Sequence, residues 1–68
     1  MNTKLKSYRI RAEFEGGESV DELYFSEESP LGAAKEWMEA YPEILSVDVY
    51  ETDECGKAAM KMATAHKY

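Results

Sequence analysis

Residues 7–25 read SYRIRAEFEGGESVDELYF, and the fold depends on how this stretch doubles back on itself. Tyr8, Ile10, Ala12 and Phe14 alternate with Arg9, Arg11, Glu13 and Glu15, the period of two expected of a strand with one buried face. Gly16-Gly17 interrupts the pattern. Two consecutive glycines accept positive φ, which predicts a two-residue type I′ turn closed by Glu15 and Glu18. In that register Ile10 faces Leu23 and Tyr8 faces Phe25 on one side of the hairpin. On the other, Arg11 pairs with Glu22, and Arg9 lies across from Tyr24 as a cation over a ring. The same register points Asp21 inward near the turn and Val20 outward, against their chemistry.

Downstream, SEESPLGAAKEWMEAYPEI carries helix punctuation: Ser29 as N-cap, Pro30 in the first helical position and Pro42 as the stop. Leu31, Ala34, Met38 and Tyr41 form the expected apolar stripe, flanked by Trp37, while Glu36, Glu39 and Glu43 line another side. Gly32 costs the helix about 1 kcal/mol relative to alanine, which close packing on a sheet at that point would offset. Alternation returns in ILSVDVYET, with Leu45, Val47 and Val49 on one side and Asp48 and Tyr50 on the other. A four-residue loop closing Thr52 on Lys57 sets Val49 opposite Met60 and Val47 opposite Met62 inside, and Asp48 opposite Lys61 outside. The segment AAMKMATA is therefore read as a strand, with helix as the alternative favoured by intrinsic propensity.

These elements give an α+β fold in a single domain, residues 1–68. It has ββαββ order, with a four-stranded antiparallel sheet and the helix packed on one face. Strand order stays open. The exposed sheet face is expected to carry Arg9, Arg11, Glu22, Tyr24, Asp48, Tyr50 and Lys61.

Charge is distributed unevenly. The chain of 68 residues has a net charge of −6, and its 14 acids all fall between Glu13 and Glu54, where Lys35 is the only base. Lys4, Lys6, Arg9 and Arg11 precede that segment, and Lys57, Lys61 and Lys67 follow it. A chain this short buries only about 60% of its unfolded surface, which leaves little room for an internal active site. Its one cysteine, Cys55, forms no intramolecular disulfide. No hydrophobic run approaches a membrane span or a signal-peptide core, so the expectation is a soluble, cytoplasmic protein without a membrane partner.

Catalytic chemistry finds few candidates. His66 sits near the C-terminus, where its parity with Met60 and Met62 makes it a cap on the core edge or part of a frayed end. Cys55 lies between Glu54 and Gly56 in a loop whose acids disfavour a thiolate. One cysteine and one histidine cannot form a structural zinc site, and DVYETDECG lacks the ligand spacing of a calcium loop. We therefore expect neither an enzyme nor a metal or other cofactor.

Two binding surfaces compete. One is the open sheet face, with Arg9, Arg11, Tyr24, Tyr50 and Lys61, residue types that dominate interaction hot spots. The other is acidic: Glu36, Glu39, Glu43, Asp53 and Glu54 present spaced negative charge, as nucleic-acid phosphates do, to a basic site on another protein. A glycine-turned hairpin, one short helix and a second hairpin turned at ETDECGK resemble, in architecture, size and charge pattern, the small ββαββ proteins of phages and mobile elements. That group includes anti-CRISPR proteins. The resemblance implies a stoichiometric inhibitor that binds a host nucleoprotein complex and blocks its nucleic-acid or partner site, without catalysis or cofactor. The alternatives are a small regulatory or nucleic-acid-contacting protein that uses its sheet, opposed by the net charge, and a homodimeric structural protein.

Overall fold

The first hairpin turns through three residues rather than two. Gly17 N–H donates to Phe14 O at 3.0 Å and Phe14 N–H to Glu18 O at 2.8 Å. Only Gly17 of the glycine pair has positive φ, at 86°. This is a type I turn followed by a left-handed residue, a favoured three-residue hairpin loop. The second hairpin repeats it: Gly56 N–H donates to Asp53 O at 3.0 Å, Asp53 N–H donates to Lys57 O at 2.9 Å, and Gly56 has φ 80°.

The structure, a computed structural model, describes residues 5–67; Lys4 of the basic flank lies outside them. Within that range the chain forms β1 (Lys6–Phe14), β2 (Ser19–Ser26), α1 (Pro30–Ala40), β3 (Ile44–Thr52) and β4 (Ala58–His66). The expected ββαββ order and antiparallel sheet are present. The strand order is β2-β1-β3-β4, so the first and last strands are not neighbours, and the basic residues of β1 and β4 approach each other only across β3.

The extra loop residue moves β2 by one position against β1. Tyr8 pairs with Tyr24, Ile10 with Glu22 and Ala12 with Val20 on the helix side, and Ser7 with Phe25, Arg9 with Leu23 and Arg11 with Asp21 on the open side. Because side chains alternate, this slip exchanges the faces of every β2 residue relative to the two-residue reading. It also removes the two misfits of that reading, since Val20 now packs against the core and Asp21 faces solvent.

The core comprises Tyr8, Ile10, Ala12, Ala33, Ala34, Trp37, Ile44, Val47 and Val49. Helix α1 is capped as its sequence requires, with Ser29 Oγ accepting from Gly32 N–H at 3.2 Å. Its buried stripe is Ala33, Ala34 and Trp37; Leu31 and Tyr41, expected inside, are exposed. Ala33 and Ala34 let the helix backbone lie close over β3 and β4, the strands nearest to it. The tight approach at Gly32 is to Glu28 and Ser29 in the capping turn, not to the sheet.

Irregularities set the rest of the core. A bulge opposite Glu13 and Phe14 takes Leu45 out of register and sends Ile44 inward instead. AAMKMATA is strand, but the loop before it closes Asp53 rather than Thr52 on Lys57, with three residues instead of four, and this together with two register shifts in β3–β4 pairs Val49 with Ala63 and Val47 with Ala65. Alanines thus occupy the inner positions expected for Met60 and Met62, which are exposed. Small residues fit there because the helix backbone lies close above.

The turn geometry predicts a contrast between adjacent glycines. Gly17→Ala should destabilise by about 1 kcal/mol, because alanine is strained at positive φ, although its Cβ would meet nothing within 4 Å. Gly16→Ala should be nearly neutral. Chemical denaturation of both variants measures the difference, and a comparable loss at Gly16 would contradict a three-residue turn.

Candidate functional site

The uncovered sheet face is organised around Asp21. Its carboxylate accepts from Arg9 Nε at 2.6 Å and from Arg11 Nε at 3.0 Å, an arrangement set by the pairing of Asp21 with Arg11 and of Leu23 with Arg9. Burial acts to raise the Asp21 pKa, but the hydrogen bonds and charges of the two arginines outweigh it and leave the carboxyl below its ordinary range. Arg9 also donates to the Gly56 carbonyl at 3.3 Å, so the tip of the second hairpin leans towards this face. Arg11 stacks over Tyr50 with 4.9 Å to the ring centroid, and the Lys61 ammonium lies 5.9 Å from the same ring. Asp48 joins the group through Lys61 at 3.8 Å and Thr64 at 2.8 Å. A surface depression of about 390 Å³ lies between Arg11, Asp21, Asp48 and Tyr50.

Four of the five sheet-face candidates, Arg9, Arg11, Tyr50 and Lys61, are thereby brought together. Tyr24 is not among them. The register places it on the helix side, where its hydroxyl donates to Glu36 at 3.1 Å and its ring meets Trp37 edge-on at 5.7 Å. Burial first, and then the Glu36 bond, raise its pKa. Glu22 moves to the helix side with it. The expected pairs are replaced accordingly: Arg11 meets Asp21 instead of Glu22, and the cation over a ring is Arg11 on Tyr50 rather than Arg9 on Tyr24. Asp48 and Lys61 remain in contact, although Asp48 pairs with Thr64 in the ladder.

The acidic candidates do not form one surface. Glu36 is anchored by Ser26 at 2.8 Å as well as by Tyr24. Glu39 is exposed in the last turn of the helix, and Glu43, expected on the same helix side, is exposed in the turn that follows it because α1 ends at Ala40. Asp53 and Glu54 lie beyond the far end of β3, a strand of 9 residues and so about 30 Å long. Asp53 has a local task, accepting from Cys55 N–H and Lys57 N–H at 2.9 Å each. The Lys57 bond is the main cause of its lowered pKa.

Sequence reasoning missed Leu23 and Phe25. Both stand on the open face of β2, 43% and 55% exposed, beside Arg9 and Ser7. The available signal was the conflict at Val20 and Asp21, which a one-residue shift resolves. His66 is exposed in β4 opposite Ser46, at the other end of the β3–β4 hairpin from Cys55. No three His, Cys, Asp or Glu side chains among the described residues are grouped to hold a metal ion. No described helix is long and apolar enough to cross a membrane. Compared with protein-family models, with curated proteins and with solved structures, the chain matches none.

The Asp21 arrangement predicts a signed pH dependence. A carboxyl with a depressed folded-state pKa binds fewer protons than in the unfolded chain, so its stabilisation is present above the ordinary carboxylate range and is lost as pH falls through the folded value. Asp21→Asn should therefore cost up to about 1 kcal/mol near neutral pH, as for other solvent-accessible ion pairs. The gap to wild type should close below about pH 3.8, the ordinary Asp value. Denaturation midpoints across this range provide the check, and a pH-independent gap would contradict the ionic role.

Proposed function

We propose that the protein is a non-catalytic interaction module that binds another protein through its open sheet face. It would act as a stoichiometric inhibitor of the phage and mobile-element kind, covering a nucleic-acid or partner site of a host nucleoprotein complex. The observation that carries this reading is the composition of the uncovered face and the contacts that orient its arginines. Arginine, tyrosine and large apolar side chains lie together there, and the two arginines are oriented by Asp21, by the Arg11–Tyr50 stack and by the Gly56 carbonyl. Such residues dominate interface energetics, and side chains already fixed lose less entropy on binding.

Electrostatics favour the same face. Arg9, Arg11 and Lys61 balance Glu13, Asp21 and Asp48 there, while the acid excess lies on the helix side and at the turns. A partner approaching the sheet thus meets the most nearly neutral surface of a protein whose net charge is −6. The dispersed helix and turn acids fit solubility. Opposing charges on the open face also make simple adhesion to nucleic-acid phosphates the weaker reading.

The test is affinity capture from a cell lysate with three proteins: wild type, Arg11→Glu combined with Lys61→Glu, and Glu39→Lys combined with Glu43→Lys. Glu36 is left unchanged because it anchors the helix to β2. Capture should be lost with the sheet-face variant and kept with the helix variant, with circular dichroism showing that both remain folded. The opposite pattern would overturn the proposal in favour of the acidic surface.

A further inference from the structure

The two edges of the sheet differ. β4 is broken by two register shifts and carries Lys61, features that discourage pairing with another strand. β2 pairs with β1 without a shift across all 8 of its residues, and it contains neither proline nor lysine. Its free main-chain groups can be assigned. The Phe14 N–H bond to Glu18 O fixes a bonded pair, and alternation along an antiparallel ladder makes Ala12–Val20, Ile10–Glu22 and Tyr8–Tyr24 bonded pairs as well. The N–H and C=O groups of Asp21, Leu23 and Phe25 consequently point away from the sheet.

Side chains along this edge present opposite chemistry on its two sides. On the open side Leu23 and Phe25 are exposed. On the helix side Glu22 is exposed and has no ion pair among the described residues, and Glu36 is fixed beside Tyr24 and Ser26. A strand added to β2 would therefore bury apolar side chains against Leu23 and Phe25 while pointing the alternate ones at carboxylates.

We propose that the β2 edge is a strand-addition site for an extended segment of another protein in which apolar residues alternate with lysine or arginine. Main-chain bonds to Asp21, Leu23 and Phe25 supply the pairing, and the alternation supplies the selection. A second copy of this chain is the poorer occupant, because it would bring Glu22 and Glu36 of both copies to the same side. The inference stands apart from the open-face reading, since it needs neither Arg11 nor Lys61.

The experiment is amide NMR of the intact protein titrated with the peptide Val-Lys-Val-Lys-Val-Lys-Val. Shifts and added exchange protection are expected at the amides of Asp21, Leu23 and Phe25, with affinity falling as salt is raised. Replacing every Lys of the peptide by Glu should weaken binding by about tenfold or more. Leu23→Pro should abolish binding without removing an internal ladder bond, as an outward edge position allows. The Arg11→Glu, Lys61→Glu variant should bind the peptide as wild type does, so failure of the open-face reading and failure of this one give different results. Equal binding of the Glu peptide, perturbation confined to β4, or no binding at low salt would overturn the proposal. So would concentration-dependent protection of Leu23 and Phe25 without peptide, which would assign the edge to a second copy.

Discussion

Left-handed Gly17 fixes the register on which both faces of the sheet depend. A three-residue loop ending in that conformation pairs Ala12 with Val20, and every β2 residue beyond it inherits its face. Val20 and Tyr24 support the core, Asp21 enters between Arg9 and Arg11, and Leu23 and Phe25 are left in solvent. A two-residue turn would reverse all of these at once. The geometry of one glycine thus decides where the ion pairs form and which apolar residues a partner could meet.

The position of the helix is the second constraint. α1 lies on β3 and β4, whose inner side carries Val47, Val49, Ala63 and Ala65 beside Ile44 at the start of β3, and the alanines leave room for the backbone segment of Ala33 and Ala34. Bulky contact is supplied instead by Trp37, whose ring meets those of Tyr24 and Tyr41. Beside the Trp37–Tyr24 contact, polar bonds tie the helix to β2: Ser26 donates to Glu36 and accepts from Glu28 N–H at 3.0 Å. A 68-residue chain has one core to distribute, and here it is concentrated under one helix, which leaves β2 regular and open at the margin.

How much of this was legible follows from which features are local. Period-two runs, the Ser29-Pro30 start and the glycine turns are short-range signals, and they identified every element in order. Register is not short-range. Gly16-Gly17 admits a loop of two or three residues, and the rival pairings differ in cross-strand chemistry that becomes decisive only when Val20 and Asp21 are weighed together. The bulges at Leu45 and in β4 left no readable mark, because an extra residue in one strand shows only against the partner strand it pairs with. Arg9, Arg11, Tyr50 and Lys61 were found because they alternate within single strands. Tyr24 was misplaced, and Leu23 and Phe25 overlooked, through the one register error.

Asp21 then explains why a surface with two arginines is not simply basic. By accepting from both guanidinium groups it offsets their charge and orients them, and Asp48 does the same beside Lys61. Long-range attraction to phosphate weakens as a result, while the planar, stacked arginine remains available for short-range contact. The uncompensated acids, Glu22 among them, lie on the helix side, so the β2 edge separates a nearly neutral face from an acidic one. A partner crossing that edge would meet apolar contact on one side and carboxylates on the other. Discrimination between partners would then come from alternation of side chains along a strand, which total charge does not capture.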